Sequence, residues 1–259
     1  MVYQKQGPQL HQWNSPARGC ASIWWAVAVL LSAVSTLPAQ PQTKPTESHS
    51  QSQHEKRPAR VGGAKLTPLE QAIYSDDCDA VSKFINAGAN VNASTGNGSP
   101  LTEALALGEP EIAELLIHAG ADVNARDDCG SHPAYYAASH SDDEMLSVLK
   151  ELVRRGADVR SSNIGGETPL HSACYWEGTH IKIVRYLLEH GADANAIDDS
   201  GDTPLHFLAY LPEPSALETA KVLVEHGAKT NVKNKKGQTA ADVAWAHHKT
   251  ELLDFLSRH

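Results

Sequence analysis

One phrase returns along this chain and limits what it can fold into. Thr168-Pro169-Leu170-His171 opens a stretch that closes on Gly191-Ala192-Asp193, and Thr203-Pro204-Leu205-His206 opens another that closes on Gly227-Ala228. Weaker copies start at Thr67, Ser99 and His132, and a shortened one at Thr239, so successive starts lie 32, 33, 36, 35 and 36 residues apart. A period near 33 residues is too short for a domain and long enough for one supersecondary unit. Such units cannot bury an apolar face alone; stacked, they share one continuous core.

The wording of the phrase predicts the unit. Thr168 suits an N-cap and Pro169 the first helical position, where a missing N–H costs nothing. His171, three residues after the cap, can reach back as the second member of a capping box. Leu170 and Ala173 face a second helix, whose stripe Ile183-Val184-Tyr186-Leu187-Leu188 has helical spacing. Gly191 ends that helix in the left-handed region, and Asp198-Asp199-Ser200-Gly201 makes a tight turn into the next start. From each start to its Gly-Ala the spacings are 21, 21, 24, 23 and 24, and from each Gly-Ala to the next start 11, 12, 12, 12 and 12. The turns are therefore regular, and the extra length of repeats three to five lies between the two helices.

These motifs resemble the ankyrin repeat over residues 61–259. The resemblance implies an all-α solenoid of helix-turn-helix units joined by hairpin-like turns, with repeats near 66–95, 98–127, 131–163, 167–198 and 202–234 and a C-terminal cap at 238–259. It also implies a non-catalytic protein–protein interaction module. Similar repeats use the His of the phrase to tie Thr, backbone and neighbouring repeat together. Repeat three departs most, with His132 for Thr, Ala134 for Leu and Tyr135 for His, and is expected to be the least stable.

The first 60 residues lie outside this pattern. Lys5 and Arg18 precede an apolar run, Ala21 to Val34, and small residues follow at Ser35 to Gln40. That order is a secretory signal peptide, with cleavage expected between Thr36 and Gln40. The alternative is an uncleaved membrane anchor, because the stretch from Gly19 to Thr43 is uncharged. Residues 1–39 are thus assigned to export or anchoring. Residues 40–60, rich in Gln, Pro, Ser, Thr and His, read as a disordered linker. The protein is expected in the periplasm or secreted, resembling exported bacterial ankyrin-repeat proteins, or else tethered to a membrane.

Residues 61–259 hold 16 Lys and Arg against 29 Asp and Glu, a net charge of −13. Phosphate contacts need a basic stripe, so nucleic acid is excluded as a partner. The expected partner is a protein, and the chain itself a monomer. No cofactor, metal or catalytic residue is assigned. His190 and His226 sit one repeat apart at helix C-termini, too distant to share an ion, and no nucleophile elbow, P-loop or dinucleotide fingerprint occurs. A metal-dependent enzyme is the least favoured alternative. Cys78 and Cys174 take small apolar positions, while Cys129, at a hairpin tip, is expected to be unpaired within the array and reactive.

Partner contact is expected at the two residues after the small pair of the first helices in repeats three to five. These are Ser139 and His140, Tyr175 and Trp176, and Tyr210 and Leu211. The insertions Ser141 to Glu144, Glu177 to His180 and Pro212 to Pro214 follow directly. They are expected to lengthen the first helices or open the loops into a ridge beside an aromatic patch.

Overall fold

In the computed structural model, residues 66–94, 98–175 and 181–259 are described. They belong to a compact unit beginning at Ser52, whereas the other unit, Met1–Gln51, lies outside the described residues. The signal-peptide, anchor and linker assignments therefore fall outside them, as do Trp176 and the insertion Glu177 to His180.

Each repeat folds as two helices because its sequence writes a start and a stop for each. The first helices are Pro68–Tyr74, Pro100–Leu107, Pro133–Ala137, Pro169–Ala173 and Pro204–Phe207, the last running on into the 3-10 turn Leu208–Tyr210. The second helices are Cys78–Asn86, Pro110–His118, Asp143–Arg154, Ile181–Glu189 and Glu213–Glu225. Ala240–Ala246 and Thr250–Arg258 form the last unit. No strand occurs among the described residues.

First helices pack on first helices and second on second, which makes two layers. Leu105, Leu116, Leu149, Leu170 and Leu187 are fully buried between them. Removing this apolar area from water drives the stacking, since no repeat could hide these side chains by itself.

The insertions did not lengthen the first helices. Those of repeats three to five are shorter than the 7 and 8 residues of repeats one and two, at 5, 5 and 4 residues. The extra chain instead extends second helices to 12 residues in repeat three and 13 in repeat five, against 9 in repeats one and two. Asp142 explains repeat three: its carboxylate accepts from the Met145 N–H at 2.6 Å and starts the helix early. In repeat five Pro214 falls in the first turn, where proline is tolerated.

Two ladders lock the repeats together. In the first, Asn124 Nδ2 donates to the Gly156 carbonyl at 3.0 Å while its Oδ1 accepts from the Asp158 N–H at 3.1 Å. Asn92 and Asn195 repeat this join to the Gly-Ala of the following unit. Arg160 takes the place of Asn in repeat three, donating through Nε to the Gly191 carbonyl at 2.6 Å. The second ladder joins hairpin tips: Ile164 N–H to Cys129 carbonyl, Asp199 to Gly165, and Lys235 to Ser200, at 2.8 to 2.9 Å. Gly166 is required there. Its φ is +78°, and a Cβ would stand 2.9 Å from the Asp199 nitrogen.

Candidate protein-docking surface

The phrase Thr-Pro-Leu-His builds the wall of the site. In repeat four, His171 Nδ1 accepts from the Thr168 N–H at 3.1 Å and meets its hydroxyl at 2.9 Å. Because Nδ1 accepts from a backbone donor, Nε2 carries the proton, and it donates to the Asp202 carbonyl at 3.2 Å. Burial lowers the His171 pKa, so the ring stays neutral in this role. His206 makes the same contacts with Thr203 and with the Gln238 carbonyl at 3.1 Å. Each His thus caps its own helix and holds the foot of the next.

The first-helix ends stand on this wall. Tyr175 is 45% exposed and Tyr210 43% exposed. Their ring centroids lie 6.3 Å apart, edge to face, with Phe207 5.7 Å from Tyr175. The row continues through His247, whose ring is 4.6 Å from that of Tyr210. Repeats four, five and the last unit therefore contribute to one aromatic strip.

The six expected contact residues part company here. Tyr175 and Tyr210 come together and remain open. Leu211 does not belong to the surface: it is 1% exposed and packs into the core. The 3-10 turn Leu208–Tyr210 carries Tyr210 outward and Leu211 inward. His140 is tethered, its Nε2 paired with the Leu105 carbonyl of the preceding repeat at 2.9 Å, over Gly108. Ser139 is half-buried and donates its hydroxyl to the Tyr136 carbonyl at 2.7 Å. Trp176 lies outside the described residues.

Phe207 and His247 were not singled out from the sequence. His247 stands eight residues after Thr239, at the station of Trp176 and Leu211, so the period could have located it. Phe207 stands four residues after its start, at the station that Ser172 and Val243 fill, and nothing in the repeat wording marks it.

Burial raises the pKa of Tyr175, and the Glu167 charge raises it further. Burial does the same to Tyr210, with Asp202 and Asp198 adding to it. Asp198 is itself pushed up to about 6 by burial, against the pull of N–H bonds from Asp202 and Ser200. Its side chain closes the turn by accepting both, each at 2.8 Å. Asn163 and Asn234 close the neighbouring turns in the same way.

The family model for ankyrin repeats matches in three copies, over residues 48–127, 101–198 and 134–234. The chain belongs to the ankyrin-repeat family. Ankyrin repeats mediate protein–protein interaction, and the family is typically non-catalytic. No curated protein matches the chain.

The helix-terminal histidines of this ankyrin array are structural. His190 and His226 each turn Nδ1 to the carbonyl four residues back, both at 2.8 Å. Among the described residues, no group of three His, Cys, Asp or Glu could hold a metal ion, and no helix is long and apolar enough to cross a membrane. Cys78 and Cys174 are free, and burial raises both thiol pKa values. Cys129, expected to be the reactive thiol, is disulfide-bonded. At the hairpin tip it is accessible to a second thiol, as the core position of Cys174 is not.

Proposed function

We propose that this ankyrin array is an exported, non-catalytic binding module that docks a partner protein on the aromatic strip of repeats four and five and the last unit. The observation that carries it is the pair Tyr175 and Tyr210, nearly half exposed and in mutual contact. The equivalent Ser139 is tied to backbone, and the next residue in repeat five, Leu211, is buried. Large rigid rings left open beside a continuous wall bury much area on binding at little entropy cost. Export rests on the charged start, apolar run and small residues before Gln40. A disulfide at Cys129 suits an oxidising compartment.

The test is capture of the native partner from the exported fraction by wild type and by Tyr175→Ala with Tyr210→Ala. Loss of capture with the melting temperature within about 2 °C of wild type supports the site. Capture intact with melting lowered by several degrees overturns it, and makes the rings part of the core.

A membrane-tethered scaffold is the second reading, favoured by the absence of charge from Gly19 to Thr43. N-terminal sequencing of the protein from its native compartment separates the two. A start between Thr36 and Gln40 identifies a released module, and a start at Met1 in the membrane fraction identifies the tether.

A further inference from the structure

One histidine and one arginine clasp the hairpin that enters repeat three to the hairpin that leaves it, and both converge on the same two serines. His132 Nε2 donates to the Ser161 carbonyl at 2.9 Å. Arg126 donates to the Ser161 hydroxyl and to the Ser162 carbonyl, the latter at 2.7 Å, and also holds the Gly130 carbonyl of its own hairpin at 2.6 Å. We propose that this clasp is an acid-sensitive joint: protonation of His132 opens the boundary between repeats three and four while the rest of the array stays folded. The inference does not depend on where the partner docks.

The first support is where a proton would have to go. Because Nε2 gives its proton to a carbonyl, the neutral ring has a bare Nδ1. The residue is 2% exposed, and Nδ1 is buried with no partner among the described residues. A second proton there makes a buried, charged donor with nothing to accept it. His171 differs, because its Nδ1 already accepts from the Thr168 N–H.

The surrounding charges do not offset this cost. Arg126 already places a cation on Ser161 and Ser162, so a charged His132 meets like charge over a shared residue. Asp127 and Asp158 favour the charged ring, but neither is bonded to it. Asp127 accepts from the Cys129 and Ser131 N–H groups and the Tyr136 hydroxyl, and Asp158 from the Arg160 N–H. The first helices packed on either side carry Glu103 and His171, and the second helix of repeat three ends in Arg154, paired with Glu151. Burial lowers the His132 pKa from the ordinary 6.5, and Arg126 lowers it further, against the Ser161 bond and the Asp158 and Asp127 charges. The unfolded chain therefore takes the proton first. The joint is at full strength above about pH 6.5 and weakens as pH falls through the folded value.

The opening is local because this boundary has the fewest other ties in the ladder of Gly-Ala turns. Asn124 and Asn195 each secure a neighbouring boundary by donating and accepting. Arg160 secures this one by donation alone.

The test is amide hydrogen exchange on the full-length protein with its disulfide intact, between about pH 7.5 and about pH 5 and corrected for intrinsic exchange. Protection over 127–139 and 161–171 is expected to fall several-fold more than over the helix Glu213–Glu225. His132→Gln keeps a donor for Ser161 and cannot charge, so it should abolish that difference. An equal acid loss in His132→Gln and wild type overturns the proposal, as does a loss spread evenly over all repeats. Should His132→Gln fail to fold, a histidine NMR titration of the wild type decides. Loss of protection over 127–139 in step with His132 protonation supports the joint, and protection that outlasts protonation overturns it.

Discussion

Repeats three and four make the same joint with different side chains. In repeat four, His171 caps its own helix through Thr168 and reaches the backbone of Asp202, the residue before the next start. In repeat three, His132 replaces Thr and Tyr135 replaces His. Tyr135 donates its hydroxyl to the side chain of Glu167, again the residue before the next start, at 2.7 Å. His132 reaches the Ser161 carbonyl at 2.9 Å. Tyr136 adds a bond to Asp127 and an edge-to-face contact with Tyr135 at 5.7 Å. What the array selects is the bond across the repeat boundary, and two chemistries supply it. Repeat three is thus less irregular than its wording. It gives up the cap itself: His132 makes no side-chain cap bond, and its buried Nδ1 has no partner among the described residues.

Three experiments break or sharpen this comparison. The largest effect is expected from His171→Ala. It removes a buried ring, leaves the Thr168 N–H and hydroxyl without their acceptor, and frees the Asp202 carbonyl. The cost should be about 2–4 kcal/mol, or roughly 5–10 °C in melting temperature. Thermal unfolding by circular dichroism measures it, and a change under about 1 °C would mean that the His joint is dispensable.

Next in size is the consensus swap in repeat three, His132→Thr with Tyr135→His. Wording alone predicts a gain. The structure predicts a loss of about 1–3 kcal/mol, because the smaller ring leaves a cavity and the Glu167 contact goes. Tyr135→Phe, which removes only the hydroxyl, should cost about 1 kcal/mol. A rise in melting for the swap would show that repeat three is a defective copy and not an adapted one.

The smallest effect compares turns. Asp198 closes the turn before repeat five as Asn163 and Asn234 close theirs, but it carries a charge where they do not. Its pKa of about 6 lies above the ordinary aspartate value, so the fold favours the protonated carboxyl. That contribution is present at low pH and is lost as pH rises through about 6, leaving the charged group a cost at neutral pH. Asp198→Asn should therefore raise stability by up to about 1 kcal/mol at pH 7.5, after allowing for solvent screening of a half-exposed group. The advantage should shrink on acidification and be gone near pH 4. A gain independent of pH would trace the effect to the turn geometry instead of the charge.

The recurrence of Thr-Pro-Leu-His and Gly-Ala at a period near 33 was enough to fix the architecture, because cap, proline and left-handed glycine are local signals that need no partner. The capping boxes Thr168–His171 and Thr203–His206 and the helix stop at Gly191 follow from adjacent residues alone. Tyr175 and Tyr210 were legible for the same reason, since their offset from the start sets where a first helix releases the chain. The fate of Leu211 was not legible: a 3-10 turn of three residues rotates it into the core, and apolar character does not tell an exposed ridge from a buried one. The destination of the insertions was equally hidden, because Asp142 had to be seen capping Met145 before the added residues could be assigned to a second helix. Hidden too were the repeat-to-repeat bonds of Tyr135, Arg160 and His140, which join residues 31 to 35 positions apart. Local chemistry writes the unit, and only stacking decides which side chains meet across its boundary.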